Sequence, residues 1–282
     1  MVALLSGGHV MIEDVPGVGK TVLAKSLARA AGCGFSRLQC TADLLPADVT
    51  GVTVWDQHAA AFRFRPGPVF ANVVLVDEVN RASPKTQSAL LECMEEGQVT
   101  VDGETRALPL PFMIVATQNP VEYEGTFPLP EAQLDRFAVR VAIGYPPAAD
   151  EAAMLLDLAA HDPLEAVRPV ADEAGVMAAR AVVDRVHVDP ALARYVVALV
   201  GATRRDPRVQ LGASPRAGLA LLRAARARAV LAGRGYALPE DVRDLAHPVL
   251  GHRIILSPEA AARGAAAAEV VRDALDAVPV PL

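Results

Sequence analysis

The chain has 282 residues, of which 52% are hydrophobic and 4% aromatic, and its formal net charge is −6 at pH 7. That length holds one large domain or two smaller ones, and the apolar fraction supplies a sizeable core in a chain whose composition is dominated by Ala, Val, Leu and Arg. The mildly acidic balance argues against non-specific nucleic-acid binding through net charge, while leaving room for a local basic groove.

The first element in chain order is a short buried strand over residues 9–13. A glycine-rich turn follows it, then a helix over 20–31 and a second strand over 36–40. A strongly apolar β-branched run over 73–76 ends in Asp77-Glu78 and leads into a helix over 84–96. Further strands are expected over 112–117 and 138–143. Short apolar runs alternating with helical segments predict an α/β fold, a parallel sheet with helices on both faces. Two stretches break the alternation and read as hairpins. One pairs 52–55 with 61–64, and the other pairs 98–101 with 105–108 across the turn signal Asp102-Gly103. After Tyr145-Pro146-Pro147 the apolar spacing becomes helical with no convincing strand. The boundary is therefore placed near Pro147, with an α/β domain over 1–146 and a small all-helical domain over 147–282.

Cys33, Cys40 and Cys93 form an odd set without metal-ligand spacing and read as buried thiols in a reducing cytosol. No basic segment precedes a long apolar stretch at the N-terminus, and no run of about 18 uncharged apolar residues occurs. Neither a signal peptide nor a membrane span is expected, and the expected location is cytoplasmic.

The segment Asp14-Val15-Pro16-Gly17-Val18-Gly19-Lys20-Thr21, followed by Val22, lies between a strand and a helix. A phosphate chain needs backbone N–H groups that can approach closely, which glycines permit. It also needs a cation for the outer phosphates, here Lys20, and a hydroxyl on Mg²⁺, here Thr21. The general pattern opens with glycine, and Asp14 stands in its place. The strand before and the helix after restore the match. Lysine is scarce in the chain, at Lys20, Lys25 and Lys85 only, so Lys20 stands out against many arginines.

Asp77 and Glu78 end an apolar strand, at the edge where α/β sheets bind ligands. Alone, such an ending reads equally as a helix N-cap. Downstream of the Lys20 loop, it places Asp77 on Mg²⁺ and Glu78 as general base for water. Asn119, in Ala116-Thr117-Gln118-Asn119-Pro120, offers an uncharged amide that can orient water; Asn-Pro also reads as a plain turn. Arg136 follows a short helix and reads either as a catalytic cation or as a surface partner of Asp135 or Glu131. Arg216 falls in the first turn of a helix begun by Ser214 as cap and Pro215. A guanidinium there opposes the helix dipole, so an anion such as a triphosphate in an interdomain cleft should compensate it. Arg223, Arg226, Arg228 and Arg234 read as a solvated face.

The order Lys20-Thr21, Asp77-Glu78, Asn119, Arg136 and Arg216 resembles the AAA+ ATPases. Finer segments resemble the MoxR family within them: residues 13–21 with their Asp14 variant, Arg65-Pro66-Gly67-Pro68, Asp77-Glu78-Val79-Asn80-Arg81-Ala82, the segment ending in Asn119-Pro120, and Leu134-Asp135-Arg136-Phe137. The resemblance covers nearly the whole chain. It implies an AAA+ P-loop three-layer sandwich around a central parallel sheet, followed by a helical lid. It also implies ATP hydrolysis with Mg²⁺, using Asn119 as sensor 1, Arg216 as sensor 2 and Arg136 as an arginine finger acting on a neighbouring subunit. Such ATPases form rings, often hexamers, and MoxR proteins are thought to act as chaperones that mature protein complexes or insert metal cofactors. A partner with a von Willebrand factor A domain, or another client protein, is implied with them. A nucleic-acid motor of the same clade is an alternative that the acidic hairpin turns, Asp56-Gln57-His58 and Asp102-Gly103-Glu104, disfavour. A non-hydrolysing nucleotide-dependent scaffold is a third reading, opposed by Glu78 and Arg136. The family normally carries a longer segment before the first strand, whereas residues 1–8 alone precede it here. This predicts a natural start further upstream or a shortened form. Apolar surface at Val2, Leu4 and Leu5 would then be poorly covered, with weak ATP binding and a tendency to aggregate.

Overall fold

A computed structural model of the chain describes residues 1–119, 126–160 and 163–281. The chain begins with α1 (Val2–Leu5), β1 (His9–Glu13), α2 (Lys20–Ala30), β2 (Phe35–Gln39) and α3 (Pro46–Thr50). A hairpin of β3 (Gly51–Asp56) and β4 (Ala61–Pro66) leads to β5 (Val73–Asp77) and α4 (Pro84–Glu96). A second hairpin, β6 (Gln98–Val101) with β7 (Glu104–Ala107), precedes β8 (Met113–Gln118), α5 (Glu131–Leu134) and β9 (Phe137–Val141). Then come α6 (Ala148–Ala160), α7 (Pro163–Ala166), α8 (Glu173–Arg185) and α9 (Pro190–Arg205). The chain ends with β10 (Val209–Leu211), α10 (Pro215–Leu231), α11 (Pro239–Leu250), β11 (Ile255–Leu256), α12 (Pro258–Ala262) and α13 (Ala267–Ala277).

Five strands form one sheet in the order β2-β5-β8-β1-β9. β2 pairs parallel with β5, β5 with β8, and β8 with β1. Parallel strands are covered on both faces and read as continuous apolar runs. Accordingly every residue of β5 is buried, and β8 is buried from Met113 through Thr117. Each Val, Leu or Ile fully buried there contributes about 1.5–3 kcal/mol relative to exposure. Because β5, β8 and β1 are neighbours that point the same way, the residues following each strand emerge at one edge. That edge receives the loop after Glu13, Glu78 after Asp77, and Asn119 after Gln118.

Both expected hairpins form. In the second, Asp102 and Gly103 have φ of 53° and 79°, as a two-residue hairpin turn of this kind requires. Three expectations are corrected. Leu4 and Leu5 are buried, at 0% and 6% exposure, because the one-turn helix α1 packs them against α10, and the Leu4 carbonyl accepts a hydrogen bond from Arg180 Nε at 2.8 Å. Val2 is half-buried. The C-terminal part also contains strands, since β10 and β11 pair antiparallel. Segments of three and two residues are too short to show a period in the sequence. Arg228 and Arg234 do not form a freely solvated face. Arg234 grips the buried carboxylate of Asp241 with two bonds of 2.6 and 2.8 Å, and Arg228 pairs with Asp244.

The chain divides into two compact units that interleave along the sequence. One comprises Val10–Leu129 and Val141–Met177; the other comprises Met1–His9, Pro130–Arg140 and Ala178–Leu282. The position near Pro147 lies inside the segment Val141–Met177. No helix among the described residues is long and apolar enough to cross a membrane.

Candidate functional site

The loop between β1 and α2 belongs to the first of these units. Gly17 and Gly19 take φ of 87° and 85°, and nothing lies within 4 Å of where a Cβ would stand on either. Glycine is therefore demanded by backbone conformation, which side-chain-bearing residues rarely adopt. Gly19 is also the N-cap residue preceding α2, and it brings no side chain to cap the first turn. The N–H groups of an 11-residue helix are thus left to an anion. Lys20 donates its ammonium to the Asp14 main-chain carbonyl. Burial pushes the Lys20 ammonium below its ordinary pKa, against the upward pull of Asp14, Asp77 and Glu78.

Pro16, Gly17, Gly19, Lys20, Thr21 and Val22 line one wall of a cavity of about 350 Å³. Asp77, Glu78, Thr117 and Asn119 line another. Val15 and Val18 are half-buried and lie outside that lining. The two carboxylates are held by residues that sequence reasoning missed. Asp77 Oδ2 accepts from Arg37 Nε at 2.7 Å, and Oδ1 accepts from the Thr117 hydroxyl at 3.0 Å. The same Thr117 oxygen accepts the Glu78 N–H at 2.9 Å. Glu78 sits at φ 55°, ψ 50°, a left-handed conformation uncommon for a residue with a side chain. Its Oε2 accepts from Gln39 Nε2 at 2.8 Å and from an Arg81 guanidinium nitrogen at 3.0 Å.

Arg37 and Gln39 reach these carboxylates because β2 lies beside β5 in a register that sets Arg37 opposite Leu75 and Gln39 opposite Asp77. Residues two apart on a strand share a face. The polar pair Arg37-x-Gln39 at a strand end was the available signal, but the pairing was not. Cys40 lies just beyond. Its thiol is buried and pushed up to about 12, first by burial and then by the charges of Asp77 and Glu78, so it stays protonated and inert. Burial raises the Cys93 thiol to about 12 as well, whereas Cys33 is half-buried, which corrects the expectation of three buried thiols.

Asn119 is 7% exposed and lines the cavity beside Thr117. Pro120, which follows it in the motif, lies outside the described residues. Arg136 and Arg216 belong to the other compact unit. Arg136 follows α5, its N–H bonded to the Gln133 carbonyl at 3.2 Å. Its neighbour Asp135 pairs with the buried Arg253 at 2.7 Å. Arg216 lies in the first turn of α10, whose cap Ser214 accepts the Ala217 N–H at 3.1 Å, with Pro215 in that turn. A larger hollow of about 540 Å³ in this unit is lined by Asp135, Ser214 and Arg253 among others, and includes none of the loop or strand-end residues above.

The donor set suits a triphosphate with a divalent cation. Left-handed glycines and an uncapped helix start leave main-chain N–H groups that phosphate oxygens could accept, and Lys20 could supply charge. Among the described residues no group of three or more His, Cys, Asp or Glu side chains gathers as a metal site. The Thr21 hydroxyl and Asp77 could hold a cation of the magnesium kind together with phosphate oxygens, since such a cation keeps waters and needs few protein ligands.

Comparison with known proteins agrees with this geometry. Residues 9–139 match the family described as ATPase family associated with various cellular activities (AAA), and residues 201–274 match the AAA lid domain. The chain is 50% identical to the uncharacterized protein YeaC of Bacillus subtilis, over 100% of this chain and 88% of that one. It is 40% identical to chaperone MoxR1 of Mycobacterium tuberculosis, over 100% of this chain and 76% of the relative. It is 34% identical to protein MoxR of Methylorubrum extorquens, over 99% of this chain and 88% of the relative. A crystal structure of a protein from Cytophaga hutchinsonii superposes with a TM-score of 0.93 at 39% identity, covering 100% of this chain and 88% of the other. With the phosphate loop, the paired carboxylates and the full-length relatives in agreement, the chain belongs to the MoxR family of AAA+ ATPases.

Proposed function

We propose that the chain binds ATP with Mg²⁺ and hydrolyses it to drive remodelling or maturation of client protein complexes. The observation that carries this reading is the placement of Lys20 and Thr21 across one cavity from Asp77, Glu78 and Asn119. The main chain over Val15, Pro16, Gly17, Val18 and Gly19 cradles the phosphates, and Thr21 and Val22 continue that cradle into α2. Lys20 leaves the Asp14 carbonyl and engages the β- and γ-phosphates. Thr21 and Asp77 would hold Mg²⁺, which would supply charge stabilisation on the phosphoryl oxygens. Glu78 takes the proton of the attacking water, and Asn119 orients that water. Arg216 is proposed for the sensor 2 role, and Arg136 for action on the nucleotide of a neighbouring subunit in a ring, with six the expected number.

The likeness to chaperone MoxR1 supports a chaperone-like role. The client is a protein complex, with a protein carrying a von Willebrand factor A domain as the expected partner and metal-cofactor insertion as one form of the maturation. The deciding experiment combines steady-state phosphate release with capture on a Glu78→Gln form. Turnover by the wild type, and clients retained on the slow variant only with ATP, is the expected result. A wild type that binds ATP without turnover would reduce the protein to a nucleotide-dependent scaffold.

A further inference from the structure

Position 14 opens the phosphate loop where the general pattern carries glycine, yet the backbone here demands none. Gly17 and Gly19 lie in the left-handed region, and Asp14 does not. The side chain is put to use instead. Asp14 is 8% exposed, and its Oδ2 accepts the N–H groups of Ile143 at 2.5 Å and Gly144 at 2.7 Å. Its Oδ1 accepts the N–H of Val15 at 2.8 Å. Two successive N–H groups converging on one oxygen is how a backbone concavity binds an anion, and here the anion is the protein's own carboxylate. The Gly144 bond leads the influences that hold this carboxyl below the ordinary aspartate pKa, with the Ile143 and Val15 bonds and the Lys20 charge assisting against burial.

The main chain of the same residue is equally engaged. Its N–H donates to the Gln118 carbonyl at 3.1 Å, one residue before Asn119, and its carbonyl accepts the Lys20 ammonium. Asp14 therefore joins the end of β8, the loop lysine and the connector that follows β9. We infer that Asp14 is a latch that passes nucleotide arrival at the loop to the connector at Ile143–Gly144. When Lys20 leaves for phosphate, the Asp14 peptide loses its cation and reorients, and the carboxylate on the same Cα moves with it. The connector is built to transmit that shift. Gly144 turns at φ 74°, and Pro146 and Pro147 then hold φ nearly fixed up to the start of α6. Asp14 is a positioning residue in this scheme, which rests on the reading of the loop as an ATP site.

The test is hydrogen–deuterium exchange of the peptide covering residues 141–147 in the full chain, with and without Mg²⁺ and ATP. It is run on wild type, Asp14→Gly and Asp14→Asn, alongside a fluorescent-nucleotide titration and steady-state turnover. Wild type should protect the Ile143 and Gly144 amides, and nucleotide should alter that protection. Asp14→Gly should exchange there about ten-fold faster without nucleotide, the scale of one charge-assisted bond. It should lose the nucleotide response, keep its KM for ATP within about three-fold and lower kcat about ten-fold, since Lys20 remains but the connector is released. Asp14→Asn keeps one acceptor oxygen, turns the other into an amide donor and loses the charge, so it should fall between, which keeps the test decisive should the glycine form fold poorly. Equal nucleotide-free exchange in all three proteins overturns the latch. So does fast basal exchange with an unaltered nucleotide response. A wild type that fails the nucleotide titration overturns the ATP reading and the latch's trigger with it, whereas the nucleotide-free comparison separately judges whether Asp14 holds the connector.

Discussion

Replacing Arg37 with alanine is expected to lower the Mg²⁺ concentration needed for half-maximal ATP turnover. Both oxygens of Asp77, the carboxylate proposed for the cation, are already engaged, Oδ2 by Arg37 Nε at 2.7 Å and Oδ1 by the Thr117 hydroxyl at 3.0 Å. An arriving cation must share Oδ2 with the guanidinium or displace it, and it also meets that positive charge. The Arg37 side chain is 51% exposed and that of Asp77 11%, so solvent screens the pair and the bare Coulomb attraction overstates it. Exposed ion pairs are worth about 0–1 kcal/mol. With the Asp77 side chain only 11% exposed, the pair belongs in the upper part of that range, about 0.4–1 kcal/mol, and one kcal/mol is about five-fold in an equilibrium constant, so the midpoint should fall about two- to five-fold. The assay is phosphate release across a Mg²⁺ titration at saturating ATP and fixed ionic strength. Raising the ionic strength should shrink the difference between the proteins. A midpoint that stays put or rises in Arg37→Ala refutes competition between guanidinium and cation at Asp77.

Lys20→Ala should weaken ATP binding about ten- to a hundred-fold, the scale of a lost charge-assisted contact, with unchanged affinity in a nucleotide titration sinking the loop assignment. Glu78→Gln should bind ATP yet lose about 10²–10⁴ in kcat, because the amide cannot accept the water's proton; normal turnover would place the base elsewhere. Arg136→Ala should bind ATP and lose about 10³–10⁵ in rate, and mixing it with Lys20→Ala subunits should restore part of the activity; no recovery in demonstrably mixed rings argues against action between subunits. His252 gives a pH prediction. Burial first, then the charges of Arg253 and Arg140, push its imidazole down to about 3, although Nε2 bonds the Phe137 carbonyl at 3.0 Å. The folded state thus binds fewer protons than the unfolded one, and this share of stability is whole above about pH 6.5 and lost as pH falls towards 3. Urea denaturation should show about 2 kcal/mol of loss between pH 6.5 and 5 that His252→Asn lacks, and identical slopes for the two proteins would contradict it.

Local chemistry was legible in the sequence wherever a residue's meaning depends on its near neighbours. The left-handed Gly17 and Gly19, the fully apolar run ending at Asp77, the Asp102-Gly103 turn and the Ser214-Pro215 helix start each follow from a few adjacent residues. The parallel sheet was legible because burial on both faces removes the period-two signal and leaves bare apolar runs, as in β5. What stayed hidden depends on pairing. α1 packs Leu4 and Leu5 against a helix more than two hundred residues on in the chain (Pro215–Leu231), and no periodicity over four residues can announce that. The same holds for Arg37, Gln39 and Thr117. Each looks ordinary within its own strand, and only the β2-β5-β8 order brings them to the carboxylates.

Asp14 stands between these two cases. Its oddity was visible locally, because a side chain occupied a position where the general loop pattern carries glycine. Its use was not, because the N–H groups it binds lie 129 and 130 residues further along the chain. A buried carboxylate must find donors or give up its charge, so an aspartate at a loop start predicts that donors exist without saying where. The fold supplies them at Ile143 and Gly144, two amides in the connector just past β9 that would otherwise need partners of their own. One substitution thus satisfies three main-chain donors and leaves the loop's glycine-dependent turns untouched. An exception to a motif, placed where the backbone does not require the motif's residue, is therefore a pointer to a long-range contact, and here the contact runs from the nucleotide loop to the connector that follows it in the fold.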